Sequence, residues 1–222
     1  MKSGTKEHFE KNVSRLKDPD KSARHTAATE LAIFMSDLEE RIMCMEKDNE
    51  WERSKEAKEI GSFISEYAVE PLIACLEDES EDVRRAAVWA LGEISSERAV
   101  EPLIARLEDT DDQVRRAAAD VLGELKSERA VEPLIARLED ESEDVRRSAA
   151  WALGEIGSER AVDALIAKLE DKSVDVRCVT VGALGSIRSK RAIEPLIARL
   201  EDNNDEVRKE AHYAVSKIQE LT

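Results

Sequence analysis

Six side chains in this sequence have the donor or nucleophile chemistry of metal and redox sites: His8, His25, His212, Cys44, Cys75 and Cys178. They assemble into no motif. No histidine is followed by a glutamate, no two cysteines form a CxxC pair, and neither a histidine nor a cysteine follows Cys178 at ligand spacing. Without an even cysteine framework the thiols read as free and the compartment as reducing. The expectation is a cytoplasmic protein with no metal, no cofactor and no catalytic residues, and so not an enzyme.

A different chemistry recurs along the middle of the chain. Arg85, Arg116 and Arg147 stand 31 residues apart, and so do Trp89, Asp120 and Trp151. Arginine and tryptophan combine area, planarity and hydrogen-bonding capacity, and they dominate contact energies at protein interfaces. The first series continues as His25, Ser54, Cys178 and Lys209, the second as Thr29, Lys58, Gly182 and Tyr213. The candidate partner-binding residues are therefore Arg85, Trp89, Arg116, Asp120, Arg147, Trp151, Lys209 and Tyr213. A competing reading has each tryptophan folded over the flank of its own repeat and each arginine paired with a nearby acid, such as Glu81 or Glu143.

These residues are placed by a repeat. Glu70-Pro71-Leu72-Ile73 returns at Glu101, Glu132 and Glu194, and as Asp163-Ala164-Leu165-Ile166, while Val83-Arg84 returns at Val114, Val145, Val176 and Val207. A sixth, degenerate copy is found by setting Arg53 under Arg84 and Gly61 under Gly92. A seventh is RLKDPDKSARHTAATEL at 15–31, giving about seven repeats. Within each, Val100, Leu103, Ile104 and Leu107 form one helical stripe, helix A, and Val83, Ala86, Ala87, Ala90, Leu91 and Ile94 another, helix B.

Between the two stripes stands a column of capping residues: Asp20, Asn49, Ser80, Asp111, Ser142, Ser173 and Asn204. Helix B is expected to close a few residues past the column Gly92, Gly123, Gly154 and Gly185, and Pro71, Pro102, Pro133 and Pro195 suit an early helical position. A helix pair of this size cannot bury its own apolar stripe, so stability must come from stacking pair on pair.

The phrase D-x5-R (Asp18/Arg24, Asp78/Arg84, Asp109/Arg115, Asp140/Arg146, Asp171/Arg177, Asp202/Arg208), with AAxALGxI and SERAVEPLI, resembles HEAT repeats, and within them the phycobilisome-lyase-type HEAT-like repeat. The resemblance implies an all-α fold, an α-α superhelix with helix B lining a concave side. It also implies that Arg24, Arg53, Arg84, Arg115, Arg146, Arg177 and Arg208 form a buried ladder with the aspartates. Lys47 stands where the second copy should carry its aspartate, which puts the ladder in doubt there. The chain reads as one domain, 1–222, with two degenerate repeats in 1–66, four regular ones in 67–191 and a capping repeat in 192–222.

Three functions are compatible with such a scaffold. The preferred one is a protein-protein interaction scaffold holding a peptide or protein in the concave groove, as a monomer or dimer. The alternatives are a lyase-type accessory subunit or a DNA glycosylase-type enzyme, to whose concave Trp and Asp residues Trp89, Asp120 and Trp151 are similar only in kind, and a homo-oligomeric structural protein. A formal net charge of −16 argues against general affinity for nucleic acid or an anionic membrane. No segment reaches the roughly 18 continuous apolar residues of a membrane span.

Overall fold

The computed structural model describes residues 3–43 and 67–220, whose regular structure is entirely helical. They fall in two compact units, Met1–Leu103 and Ile104–Thr222. In the first, α1 (Ser3–Arg15) pairs with α2 (Lys21–Met43) and α3 (Val69–Cys75) with α4 (Glu81–Ile94), and α2 lies along α4. The helix α5 (Val100–Arg106) carries the chain into the second unit, where α6 (Asp112–Glu124) begins a run of neighbours. There α7 (Val131–Arg137) pairs with α8 (Glu143–Ile156), α9 (Val162–Lys168) with α10 (Val174–Ile187), and α11 (Ile193–Ala198) with α12 (Asp205–Gln219). Helix α6 lies along α8, α8 along α10 and α10 along α12.

Most of both stripes is buried; the isoleucines are the exceptions, Ile94 and Ile104 being half-buried and Ile197 39% exposed. Leu103, Leu134, Leu165 and Leu196 of the A helices and Val114, Ala118 and Leu122 of α6 are closed to solvent, as are their counterparts Val145, Ala149 and Leu153. The helix α5 and its counterparts α7 and α9 are only seven residues long. Isolated helices so short are marginal in water, so their persistence depends on the B helices they cover.

As expected, helix B runs one or two residues past the recurring glycine before it ends. Gly123 and Gly154 lie within α6 and α8, fully buried, and an added Cβ would stand 2.8 Å from Ala152 and Ala183 respectively; at Gly185 it would stand 2.9 Å from the Ala214 Cβ. The glycine column is where one B helix approaches the next. The chain turns three residues later, in the left-handed conformation, at Ser95, Lys126, Gly157 and Arg188. Ser-Glu-Arg and Ser-Lys-Arg segments then make single 3-10 turns, Glu97–Ala99, Glu128–Ala130, Glu159–Ala161 and Lys190–Ala192.

The capping column is split in use. Asp111 accepts from the Val114 N–H, Asn204 from Glu206 and Val207, and Asp20 from Ser22 and Ala23. Ser80, Ser142 and Ser173 make no such bond. Their own backbone N–H groups donate instead to Asp78, Asp140 and Asp171, and the Ser142 hydroxyl lies 3.2 Å from Asp112. Asn49 lies outside the described residues.

Those aspartates are the rungs of the ladder. Arg115 donates through Nε and Nη2 to both oxygens of Asp140 at 2.9 Å, Arg146 does the same to Asp171, and Arg177 to Asp202. Each arginine also uses Nη1 on a carbonyl of its own turn, Asp109, Asp140 or Asp171. Burial pushes the Asp140 and Asp171 carboxyls up, but the arginine and the capping N–H outweigh it and hold both below the usual range. Asp202 is held low first by its bond to Arg177.

The first rung is different. Arg24 grips both oxygens of Asp78, 54 residues on, where the other rungs span 25. The second expected copy, with Lys47 and Arg53, falls mostly outside the described residues, and α2 and α4 meet directly. Lysine stands at position 47 in place of that copy's ladder aspartate, and the carboxylate that Arg24 grips is Asp78. The helix α2 accordingly continues for 23 residues, past the expected start of the second repeat.

Candidate partner-binding face

Every candidate residue projects from a B helix. The arginines are engaged along their own helices: Arg85 with Asp82 at 2.7 Å, Arg147 with Asp144 at 3.5 Å, and Arg116 with Asp120 at 3.7 Å and the Gln113 amide oxygen at 3.4 Å. Pairing along the helix was the competing expectation, although the partners are Asp82 and Asp144 rather than Glu81 and Glu143. These are half-exposed pairs worth little to stability, so a ligand can recruit the guanidinium groups at small cost.

Asp120 lies between two of them. Its burial raises the carboxyl above the usual range, against the pull of the Ser148 hydroxyl and the Arg116 and Arg147 charges. Trp151 is half-buried, its ring edge against the space above Gly123. The tryptophan therefore does fold over a neighbouring flank, yet keeps an open side. Lys209 is exposed and Tyr213 is 62% exposed. In the first unit, Arg85 and Trp89 of α4 are half-buried at the same register positions, and so are His25 and Thr29 of α2, where the His25 ring nitrogen lies 3.1 Å from the Asp82 carbonyl. Ser54 and Lys58 lie outside the described residues.

The open side of Trp151 faces a cleft of about 330 Å³ between α8, α10 and α12. Its opposite wall is Tyr213, and between the two stands Gly182, the member of the aromatic series that has no side chain. A Cβ there would meet one atom, the Glu210 Oε1 at 3.3 Å. Gly182 thus differs from Gly154 and Gly185, whose missing side chains are replaced by a neighbouring helix: here the missing volume is left open. Glu155, Cys178 and Lys217 complete the polar lining. Burial raises the Cys178 thiol, and the charges of Glu210, Glu206 and Asp175 add to it. Lys217 holds its ammonium 5.9 Å from the centre of the Tyr213 ring.

Gly182 and Cys178 were visible as exceptions in their columns, but Glu210 was missed. Its signal was present, since it occupies the position held by Ala86, Ala117, Ser148 and Val179 in the other copies. Among the described residues no group of three or more His, Cys, Asp or Glu is placed to hold a metal, and no helix is long and apolar enough to cross a membrane.

No curated protein matches the sequence. Solved structures do resemble the fold. A designed armadillo repeat protein in complex with the peptide (KR)4 is 23% identical over 95% of this chain and 99% of its own, with a TM-score of 0.65. The complex of CpcE and CpcF of phycocyanin lyase from Nostoc sp. PCC7120 contains a chain 26% identical, covering 91% of this chain and 74% of that one, TM-score 0.64. An archaeal HEAT-like repeats protein from Thermococcus onnurineus NA1 is 15% identical over 97% and 88%, TM-score 0.66. The family profile for HEAT repeats matches residues 38–119, 100–175 and 162–221. With its arginine ladder, its paired helices and that match over most of its length, the chain belongs to the HEAT-repeat family.

Proposed function

We propose that this protein is a non-enzymatic interaction scaffold that binds a peptide or protein on the concave, helix-B face. The anchors are Arg85, Trp89, Arg116, Asp120, Arg147, Trp151, Lys209 and Tyr213. The observation that carries the reading is the cleft between Trp151 and Tyr213: two aromatic walls in one register, with Gly182 between them and charged groups at the edge. Apolar walls with a few convergent polar groups are the usual make-up of a binding pocket. The fold supports the same use, since the similar designed armadillo protein holds a peptide and the lyase chain is in complex with a second protein.

The test is a pull-down from native lysate with the wild type and with a Trp89→Ala, Arg116→Glu, Trp151→Ala variant, after circular dichroism has shown both to be equally helical. A partner retained by the wild type and lost with the variant is the expected result. Equal recovery by both, or recovery of nothing by either, overturns the reading.

A further inference from the structure

We propose that the cleft between Trp151 and Tyr213 seats the arginine or lysine side chain of a basic peptide segment. The inference rests on the helix-B face being a binding surface and names the chemistry of what binds. Three observations converge on it. The walls are aromatic, and the face of an aromatic ring attracts a cation; the Lys217 ammonium over Tyr213 shows that this ring already does so. The floor is open at Gly182, so a long, thin side chain can lie between the rings. At the floor stands the Glu210 carboxylate, which no hydrogen bond or ion pair engages among the described residues.

The electrostatic surroundings agree. Glu206 and Asp175 lie close enough to Glu210 and Cys178 to act with them on the thiol, and the chain carries a net charge of −16. A cation entering the cleft gains the open face of Trp151 and the Glu210 carboxylate, and shares the Tyr213 ring with Lys217, whereas an anion meets the repulsion of Glu210 and Glu155. An arginine or lysine stem also covers the apolar walls while its charged head reaches Glu210.

The experiment is fluorescence anisotropy at about 150 mM salt, where long-range attraction is screened beyond roughly 8 Å. The probe is a labelled Gly-Ser peptide with arginine at alternate positions, compared with the same peptide carrying neutral, isosteric citrulline. Saturable binding of the arginine peptide, at least about tenfold tighter than the citrulline form, is expected. Glu210→Gln and Gly182→Leu should each weaken it about tenfold, equivalent to about 1.4 kcal/mol. Glu159→Gln, which removes the same charge from an exposed turn, should change it less than about twofold. The Cβ of Gly182→Leu would meet only the movable end of the Glu210 side chain, at 3.3 Å, so the variant should keep the wild type's helicity and melt within a few degrees of it.

Equal weakening by Glu210→Gln and Glu159→Gln, equal binding of the citrulline peptide, or no saturable binding overturns the proposal. The two readings also separate. A partner lost with the Trp89→Ala, Arg116→Glu, Trp151→Ala variant but not displaced by the arginine peptide overturns the cationic seat and leaves the helix-B face in place. Recovery of the same partners by that variant overturns the face itself, and with it the premise of the seat.

Discussion

The Asp-Arg rungs show what one side chain must do inside a stack. Arg146 is 5% exposed and satisfies both oxygens of Asp171 and the carbonyls of Asp140 and Glu141. Removing it leaves the buried Asp171 carboxylate with the Ser173 N–H but no countercharge from the ladder, and takes a donor from two turn carbonyls, so Arg146→Ala should cost about 3 kcal/mol or more in urea denaturation. Lysine cannot replace the planar fork and should recover only part of that. The exposed pair Arg160–Glu132, 2.7 Å apart, should contribute less than about 1 kcal/mol by the same measurement. The buried rung was expected from the resemblance to HEAT repeats, on an Asp and an Arg that recur together in all but the second copy. The second use of each aspartate was not. Arg137 and Arg199 also approach Asp140 and Asp202 while donating to the Leu107 and Leu169 carbonyls of the preceding copy, and nothing in a single repeat reveals a contact made to the one before.

Among elements, glycines at different positions of the B helices have opposite meanings. Gly154 faces the backbone of α10 at a distance that admits no Cβ, so Gly154→Ala should destabilise by about 1–3 kcal/mol through overpacking. A Cβ at Gly182 would meet no backbone, only the movable end of the Glu210 side chain at 3.3 Å, and once that carboxylate shifts by a few tenths of an ångström Gly182→Ala should raise stability by up to about 1 kcal/mol, the helical preference of alanine over glycine. Thermal melts of the two variants, one falling and one rising, would distinguish a packing glycine from one kept for an opening. The left-handed turn after α10 carries Arg188 at φ 60°, where the preceding copy has Gly157 at φ 75°. Arg188→Gly should therefore stabilise by about 0.5–1 kcal/mol. Periodicity made the helices legible because apolar spacing is local. It placed the end of helix B a few residues beyond the ALG glycine, where the chain does turn, but not the packing role of that glycine, because glycine serves both for turning and for close approach, and only the neighbouring helix distinguishes them. The cleft was harder still, since it depends on what three successive helices lack at matching positions.

At the scale of the whole molecule, four carboxylates, Asp78, Asp140, Asp171 and Asp202, are held below their usual range by their arginines and N–H donors, in the first three against the rise that burial alone would bring. A group depressed in the folded state contributes stability that is present above its unfolded value, about 3.9 for aspartate. That contribution is lost as pH falls through the lower folded value. The melting temperature should thus hold from neutral pH to about pH 5 and fall progressively below pH 4, and Asp171→Asn should flatten that fall while lowering the neutral value. Asp120, raised by burial, works in the opposite sense: its protonation on acidification relieves a cost rather than removing a contribution.

The long first rung has a consequence for how such a chain can change. Arg24 closes on Asp78 across 54 residues with the same two-pronged grip that elsewhere spans 25. Loop-closure entropy grows only with the logarithm of length, and that difference is worth about 0.7 kcal/mol, well below the cost of breaking a buried ion pair. Neighbour choice at this joint is a matter of which carboxylate the guanidinium can reach, with little penalty for chain stored between. The α2–α4 joint is therefore held by the chemistry of one guanidinium and one carboxylate rather than by nearness along the chain, so the identity of a neighbour here is decided by reach and charge.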